Sequence, residues 1–260
     1  MGKSGWIKTG VVFVVALMAG ACGKAYAALE PQWAEVAKLN GQVEWLQAGT
    51  AAWKAAQASQ KLSAGDKVRT GNNGSTTLSL AEGSTIRLES GSELLIQTLG
   101  QDPKTKSYQY FFGISRGKLA ATVSPVTAGS KVQFQTPLAT VDVPAEGADP
   151  TVNISINPDG SVTISTSGGT IHTIRDTTPV FRTTLENGEQ VMVIFNPATQ
   201  SIRVADLAGT FDVTGPNGQT ITLNLNDSVL FEGTAATFIP GGPGVDAPAG
   251  DRFSEPASTS

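Results

Sequence analysis

The sequence predicts an all-β protein, either a sandwich or a solenoid-like roll of short stacked strands with glycine-rich turns. The first observation is a turn phrase that recurs every eight or nine residues between positions 62 and 96. Asn73-Gly74-Ser75, Glu82-Gly83-Ser84 and Ser90-Gly91-Ser92 lead into TTLSL, TIRLE and ELLIQ, and Asp159-Gly160-Ser161 later leads into VTIST. An X-Gly pair supplies the positive φ that a tight turn needs. Each phrase therefore predicts one turn followed by one strand.

The second observation is the alternation of apolar and polar residues after each turn. It places Leu78 and Leu80 on one face of a strand, and Ile86 and Leu88 on one face of the next. The nearly equal spacing favours stacked strands, which bury a continuous core only when their neighbours are present. A sandwich remains the alternative.

The N-terminal part of this β region is less regular. Val36 to Val43 begins the first strand, and Trp45 lies on the same face as Val43. Residues 50–60 are alanine-rich and fit either a short helix or an irregular segment. Longer helices are not expected, because no later segment keeps apolar spacing at three and four residues over two turns.

Strands and loops alternate through the middle of the chain. Residues 101–107 are polar and predict an exposed loop, and a strand resumes at 108–112. Residues 114–123 predict a pair of strands around Gly117. Residues 131–136 alternate cleanly until Pro137, which ends the strand or marks a sheet edge.

The C-terminal third repeats itself loosely. Gly169-Thr170-Ile171 precedes a Leu-x5-Val phrase that ends at Val191, and Gly209-Thr210-Phe211 precedes another that ends at Val229. Residues 169–239 therefore predict two related β units, in the same domain or in an appended one. Residues 240–260 are rich in glycine, proline, serine and alanine, which predicts a disordered tail.

The N-terminus predicts export. Lys3 and Lys8 precede an apolar run, and Ala25-Tyr26-Ala27 is a small-x-small cleavage site, so residues 1–27 are expected to be a secretory signal peptide. The apolar run, residues 11–21, is too short for a comfortable membrane span, and no transmembrane helix is expected in the mature chain. The expected location is periplasmic or secreted. Cys22 follows three small residues, which leaves a lipoprotein anchored through Cys22 as the alternative.

Cleavage after Ala27 would leave an acidic chain without a thiol. It removes Lys3, Lys8 and Lys24, leaving 15 cationic against 22 acidic residues, a net charge of −7. Nucleic acid and anionic lipid both reward clustered lysine and arginine, and the sequence has no such cluster. Neither is expected as a partner.

Several ordered phrases resemble the FecR domain of bacterial envelope proteins. The main one is Leu62-x-x-Gly65-Asp66-x-Val68-x-Thr70-Gly71, followed by a strand and Glu82-Gly83-Ser84. Further matches are Gly41-Gln42-Val43, Trp53, Arg116-Gly117-Lys118-Leu119, and the phrase from Phe134 through Thr136-Pro137 to Ala139. They cover roughly residues 36–143, and the expected FecR-like domain is 28–168.

The resemblance implies a role in signalling rather than catalysis. Well-described relatives are the periplasmic parts of regulators that relay an outer-membrane signal to a sigma factor, through a cytoplasmic domain and one transmembrane helix. A chain that starts with a signal peptide would keep the extracytoplasmic half, a β scaffold for protein contact that can use edge-strand addition. An arginine-glycine-threonine phrase usual in the family is replaced here by residues 142–150.

No catalytic, cofactor-binding or metal-binding residue is predicted, and an enzyme is not expected. His172 is the single histidine and is expected on a strand face, exposed or half-buried. It cannot build a zinc site without further nitrogen or sulfur ligands, and no Gly-x-Ser-x-Gly phrase accompanies it. The acids Asp142, Glu146 and Asp149 suggest calcium only loosely.

The remaining charged candidates have a structural interpretation. Asp66 is expected to accept hydrogen bonds from turn amides, and Arg69 is expected to pair with Asp66, Glu82 or Glu89 at the surface. Glu82 and Glu89 are interpreted as ordinary charges on turns and strand edges rather than as a glycosidase pair.

Two classes of partner are consistent with the sequence. The first is an envelope protein, bound by a periplasmic interaction or signalling module. The second is cell-wall polysaccharide, for which Trp45, Trp53, Tyr108 and Tyr110 would serve as exposed platforms. The alternative for these four rings is packing in the core.

Overall fold

The all-β prediction is confirmed by a computed structural model, which describes residues 29–124, 127–143, 150–175, 178–186, 188–196 and 198–241. Residues 1–27, which contain the predicted signal peptide and Cys22, lie outside the described residues, as do Glu146, Asp149 and most of the predicted tail. The described residues form 22 strands and no helix, and so none that could span a membrane. The strands are β1 Glu30–Pro31, β2 Ala34–Asn40, β3 Val43–Leu46, β4 Lys54–Ala55, β5 Lys61–Leu62, β6 Lys67–Thr70, β7 Ser75–Leu80, β8 Thr85–Leu88, β9 Glu93–Gln101, β10 Tyr108–Thr122, β11 Lys131–Gln135, β12 Thr140–Val143, β13 Thr151–Ile156, β14 Val162–Thr166, β15 Gly168–Arg175, β16 Thr178–Glu186, β17 Gln190–Asn196, β18 Ser201–Ala208, β19 Thr210–Thr214, β20 Thr220–Asn224, β21 Ser228–Glu232 and β22 Ala235–Ile239.

The strands form two long sheets. The first, sheet A, runs in the order β4-β3-β6-β9-β10-β11-β12-β15-β16-β19-β20, with β1 beside the far end of β9. The second, sheet B, runs β5-β2-β7-β8-β10-β13-β14-β17-β18-β21-β22. Neighbouring strands are antiparallel, except that β10 and β11 are parallel. Because β10 belongs to both sheets, they form one nearly closed roll.

Strand β10 passes from sheet A to sheet B at Gly117. Its first half pairs with β9 and β11, and its second half pairs with β8 and β13. The predicted pair of strands around Gly117 is therefore wrong, because residues 114–122 continue one strand. Gly117 has φ +82°, and a Cβ there would lie 2.5 Å from the Cα of Ser92. The left-handed glycine bends the strand without reversing it.

From β11 onward, hairpins alternate between the two sheets. The pairs β11–β12, β15–β16 and β19–β20 lie in sheet A, and β13–β14, β17–β18 and β21–β22 lie in sheet B. The two loosely repeated phrases occupy equivalent places, since Ile171 and Phe211 are buried in sheet A and Val191 and Val229 are buried in sheet B. Each repeat therefore consists of two hairpins, one in sheet A and the next in sheet B.

A single hydrophobic core lies between the sheets. Leu78, Leu80, Ile86 and Leu88 are all buried in it, as the alternation predicts. The rings of Phe181 in sheet A and Phe231 in sheet B stack at 6.1 Å across this core. Burying this apolar surface is the main stabilising contribution to the fold.

Residues 50–60 form turns around the two-residue strand β4, so the irregular alternative is correct and the short helix is wrong. Lys54 and Ala55 pair with β3, which sets the segment at the edge of sheet A. The predicted loop at 101–107 is present as a turn after the end of β9.

Candidate interaction surfaces

Tyr108 and Tyr110 do not form an exposed platform. Tyr110 is 1% exposed, and its hydroxyl donates a hydrogen bond of 2.8 Å to Oε2 of Glu82. Burial, reinforced by the nearby Glu82, raises the pKa of Tyr110 well above its usual range. Tyr108 packs against the core with its ring 5.2 Å from that of Tyr110.

Trp53 lies on the outer face of sheet A and is already stacked. The guanidinium of Arg69 lies 4.2 Å from its ring centroid, and Arg69 Nε donates to Oε2 of Glu44 at 2.7 Å. Glu44 and Arg69 are directly opposite in the β3–β6 ladder. The prediction that Arg69 pairs with Asp66, Glu82 or Glu89 is therefore wrong, because the cross-strand register gives it Glu44.

Trp45 closes one end of the core. It is half-buried on the inward face of β3, opposite Val68, and packs against the core together with Ala56. The ammonium of Lys54 lies 5.8 Å from its ring centroid. The core alternative therefore fits Trp45 better than an exposed platform.

Asp66 has the structural role expected from its turn. It is 5% exposed, Oδ1 accepts a hydrogen bond from the Ala48 amide, and Oδ2 accepts one from the Ser63 amide. Each bond satisfies a donor in the loops that cover the N-terminal end of the roll.

Glu82 and Glu89 have separate partners. Glu82 Oε2 accepts from Tyr110, and its Oε1 is buried without a partner among the described residues. Glu89 Oε1 lies 3.0 Å from Arg87 Nε. Glu82 therefore belongs to the packing around Tyr110, and Glu89 to an ion pair with a neighbouring side chain.

His172 forms a polar network with neighbouring strands. Its Nδ1 lies 3.2 Å from Oδ2 of Asp142, whose Oδ1 accepts a hydrogen bond from Gln133. The half-buried position on a strand face is as predicted, with Ile171 buried on the opposite face. In the part of the chain that the structure describes, no three His, Cys, Asp or Glu side chains converge on a possible metal site. The network thus links side chains of the three strands β11, β12 and β15.

Sequence reasoning missed Asp206. This residue is 1% exposed near the end of β18, and neither carboxylate oxygen makes a hydrogen bond of normal geometry. Burial raises its pKa to about 6; the Ala208 amide opposes the shift, and Glu189 and Asp227 add to it. A strand bulge beside Asp206 interrupts the alternation, so the sequence pattern carries no sign of its burial.

A polar cleft of about 570 Å³ opens on sheet A between β16 and β19. These strands pair only at Arg182 with Thr214 and at Thr183 with Val213, and they diverge beyond that point. The Thr183 hydroxyl donates to the carbonyl of Asp212 at 2.8 Å in place of a ladder bond. The polar and charged residues of the lining are Arg182, Thr183, Thr184, Glu186, Glu189, Thr210, Asp212, Thr214 and Thr222.

The C-terminal end of the roll presents apolar side chains and two sheet edges. We call this surface the open end and define it by Ile221, Leu225, Ala236 and Phe238. Leu225 is 57% exposed and Phe238 is 43% exposed. Phe238 lies opposite the buried Val229 and therefore on the inward face of sheet B. Its exposure follows from the absence of a described strand beyond β22.

The two ends of the roll differ in chemistry. At the N-terminal end the outermost strands, β4 and β5, have two residues each, and each contains a lysine. Short edges and lysine discourage the addition of a further strand. At the open end, β20 and β22 have five residues each and no charged side chain. Strand addition is therefore favoured at the open end.

A family model described as FecR protein matches residues 66–172, from the start of β6 into β15. The chain contains a FecR domain. The match includes the main predicted phrase from Asp66 onward, whereas Gly41-Gln42-Val43 and Trp53 precede it. The FecR domain contributes the middle of both sheets, and the open end lies in the strands that follow it. No curated protein matches the chain.

Two crystal structures of a candidate anti-sigma factor from Parabacteroides distasonis are similar to this chain. Each is 14% identical to it, with TM-scores of 0.38 and 0.36. Each alignment covers 62% of this chain and 60% of the solved chain. The present chain thus spans about 60% of the length of the solved structures that it matches. At this level the similarity carries no information about partner or activity.

Proposed function

We propose that this protein is an exported, non-catalytic FecR-domain module that binds a protein partner in envelope signalling. The FecR domain supports a regulatory role, since the family is regulatory rather than enzymatic. The charged residues considered for chemistry have structural partners, including Asp66 with two turn amides and Arg69 with Glu44.

The observation that carries the proposal is the open end. It combines exposed apolar side chains with two uncharged strand edges, and such edges recruit an extended segment of another protein by main-chain hydrogen bonds. Side chains at alternate positions of a strand added to β22 would then contact the exposed Phe238, and this contact would give specificity.

Export is proposed from the N-terminal sequence. Lys3 and Lys8, the apolar run and Ala25-Tyr26-Ala27 support cleavage before Ala28 and a periplasmic or secreted location. Mass spectrometry of the N-terminal peptide from the cell envelope tests this. A peptide that starts at Ala28 supports cleavage there, a lipid-modified Cys22 supports the lipoprotein alternative, and a retained Met1 contradicts export.

Capture of partners from intact cells tests the function. The tagged chain is crosslinked with formaldehyde, and the proteins recovered with it are identified by mass spectrometry with and without muramidase digestion of the wall. We expect one dominant protein in both samples, and we expect this protein to be absent when the tagged chain carries Phe238→Asp. Phe238 has a matched control in Leu39, which is 38% exposed at the other end of the roll, so that Leu39→Asp should leave recovery unchanged. Recovery that requires intact wall and contains no protein partner contradicts the proposed function.

A polysaccharide ligand is the second candidate, and the cleft between β16 and β19 favours it. Its threonine hydroxyls and carboxylates are suited to hydrogen-bonding sugar hydroxyls, and its volume is in the range of small-ligand sites. Sedimentation with purified sacculi tests this. Loss of binding with Asp212→Ala, while Asp159→Ala binds normally, would favour polysaccharide over protein.

A further inference from the structure

We propose that the partner of the open end is a second copy of this chain, joined by antiparallel pairing of β22 with the β22 of its partner. This inference rests on the proposed function and names the protein that binds there.

Strand β22 has one free edge. It pairs with β21 from Ala235 opposite Glu232 to Ile239 opposite Ser228, and among the described residues no strand pairs with its other side. The sequence AATFI contains no charge and no proline that would oppose a further ladder. Two such edges can therefore meet without like-charge repulsion.

The side chains of β22 are complementary in size to those of a second, antiparallel β22. In an antiparallel pair centred on Thr237, Ala235 lies opposite Ile239 and Ala236 lies opposite Phe238, while Thr237 lies opposite its own copy. Every large residue then faces an alanine, and the central pair is threonine with threonine, a favourable cross-strand combination. A two-fold axis through Thr237 relates the two protomers, so each contact of an alanine with a large residue occurs twice in one interface.

The pairing also completes the core. Ala236 lies opposite Phe231 and Phe238 lies opposite Val229, so both project from the inward face of sheet B. In the pair, the alanine of one protomer covers the phenylalanine of the other on that face. The 43% exposure of Phe238 would fall, and the apolar interior would continue from one protomer into the next.

The chain's own C-terminal segment is a poorer occupant of this edge. After β22, the Gly241 amide donates to Oδ1 of Asp227 at 2.8 Å, which directs the chain toward the turn between β20 and β21. Residues 242–260 contain three prolines, which cannot donate ladder hydrogen bonds, and only Val245 and Phe253 as large apolar residues.

Disulfide trapping tests the register of the pair. The full chain carrying Cys22→Ser and Thr237→Cys is oxidised mildly, because directly opposite strand residues are separated by a distance that a disulfide can span. We expect most of the protein to form a covalent dimer. Thr199→Cys, in the exposed turn between β17 and β18, reports random collision and should remain monomeric.

Sedimentation of the full chain without added cysteines measures the association itself. We expect a reversible dimer at micromolar concentration, and Phe238→Asp should raise the dissociation constant by more than about tenfold. An unchanged thermal midpoint for that variant separates loss of the interface from loss of the fold.

Two results would overturn the proposal. One is a monomer at all concentrations, and the other is a dimer whose dissociation constant is the same with Phe238→Asp. If the chain is a monomer whose open end still captures a different protein from cells, the proposed function holds and the proposed self-association is wrong. If the chain is a monomer that captures nothing, both proposals are wrong.

Discussion

Asp66 illustrates how a local turn signal leads to a testable role for one residue. Asp66→Ala removes acceptors for the Ala48 and Ser63 amides at a nearly buried site. We expect a loss of about 1–3 kcal/mol in the free energy of unfolding, measured by urea denaturation. Asp159 also accepts from a turn amide, that of Ser161, but is exposed, so Asp159→Ala should cost less. Equal losses would contradict a special contribution from Asp66.

Asp206 should make the stability of the fold depend on pH. Because burial raises its pKa from 3.8 to about 6, the folded chain holds this proton more tightly than the unfolded chain. The contribution to stability is complete below about pH 4 and is lost as the pH rises through 6. Asp206→Asn removes this dependence, so its unfolding free energy relative to the parent should rise by about 2–3 kcal/mol between pH 4 and 7.

The measurement is urea denaturation of both proteins across that pH range. Any cost of accommodating the asparagine amide in the variant is the same at every pH, so the slope rather than the absolute difference is diagnostic. Parallel curves of stability against pH would mean that Asp206 is not a buried titrating group.

The hydrogen-bond partners of some polar residues can be predicted from the sequence, and those of others cannot. The acceptor role of Asp66 was predictable because the Ser63 amide is only three residues away. The pairing of Arg69 with Glu44, 25 residues away, depends on which strands are neighbours and in which register. Hydrogen bonding of Tyr110 to Glu82 is likewise set by the packing of distant segments. Sequence alternation alone contains neither fact.

At the scale of elements, β7 tests the inward alternation. Leu80→Ala should leave a cavity in the core and cost about 2–5 kcal/mol in urea denaturation. Ser79→Ala, on the opposite face of the same strand, should change the free energy of unfolding by less than about 0.5 kcal/mol. An unchanged midpoint for Leu80→Ala would refute the burial of that face.

Gly117 tests how one strand serves two sheets. Gly117→Ala would add both left-handed strain and a clash with Ser92, whereas Gly91→Ala adds strain at φ +68° with no atom within 4 Å of the new Cβ. We expect about 1–2 kcal/mol for Gly91→Ala and clearly more for Gly117→Ala. Equal costs in thermal denaturation would mean that the close approach to Ser92 does not constrain the crossing.

The strands themselves were largely predictable, whereas their continuity was not. Turn chemistry and alternation act over a few residues, so the turns before β8 and β9 are readable from Gly83 and Gly91, whose φ values are +104° and +68°. The positive φ predicted for Gly74, before β7, is wrong, because that glycine instead allows a close approach to the Gln42 carbonyl. Whether the glycine at 117 reverses a strand or only bends it depends on the sheets on either side. The sequence therefore predicted a strand at 108–112 and a pair of strands around Gly117, where the structure has the single strand β10.

At the scale of the whole molecule, the two ends of the roll differ chiefly in their strand edges. Leu39 is 38% exposed at the N-terminal end, but the outermost strands there have two residues each and carry a lysine, whereas β20 and β22 at the open end have five residues each and no charge. Stacked β architectures require covered termini for solubility, so the end that no described strand covers is where we propose that another chain binds. The sequence predicted contact by an edge strand, but it could not locate the edge, because sheet order is a property of the assembled fold.

Site-specific photocrosslinking in living cells tests whether the open end binds a protein. A photoreactive phenylalanine replaces Thr237 at the open end or Thr199 in the β17–β18 turn, and crosslinked products are identified after irradiation. If the open end binds a protein, we expect a discrete protein adduct from position 237, independent of the cell wall, and none from position 199. Crosslinks that are equal at the two positions, or that form only with wall polymer, would contradict a protein-binding role for the open end.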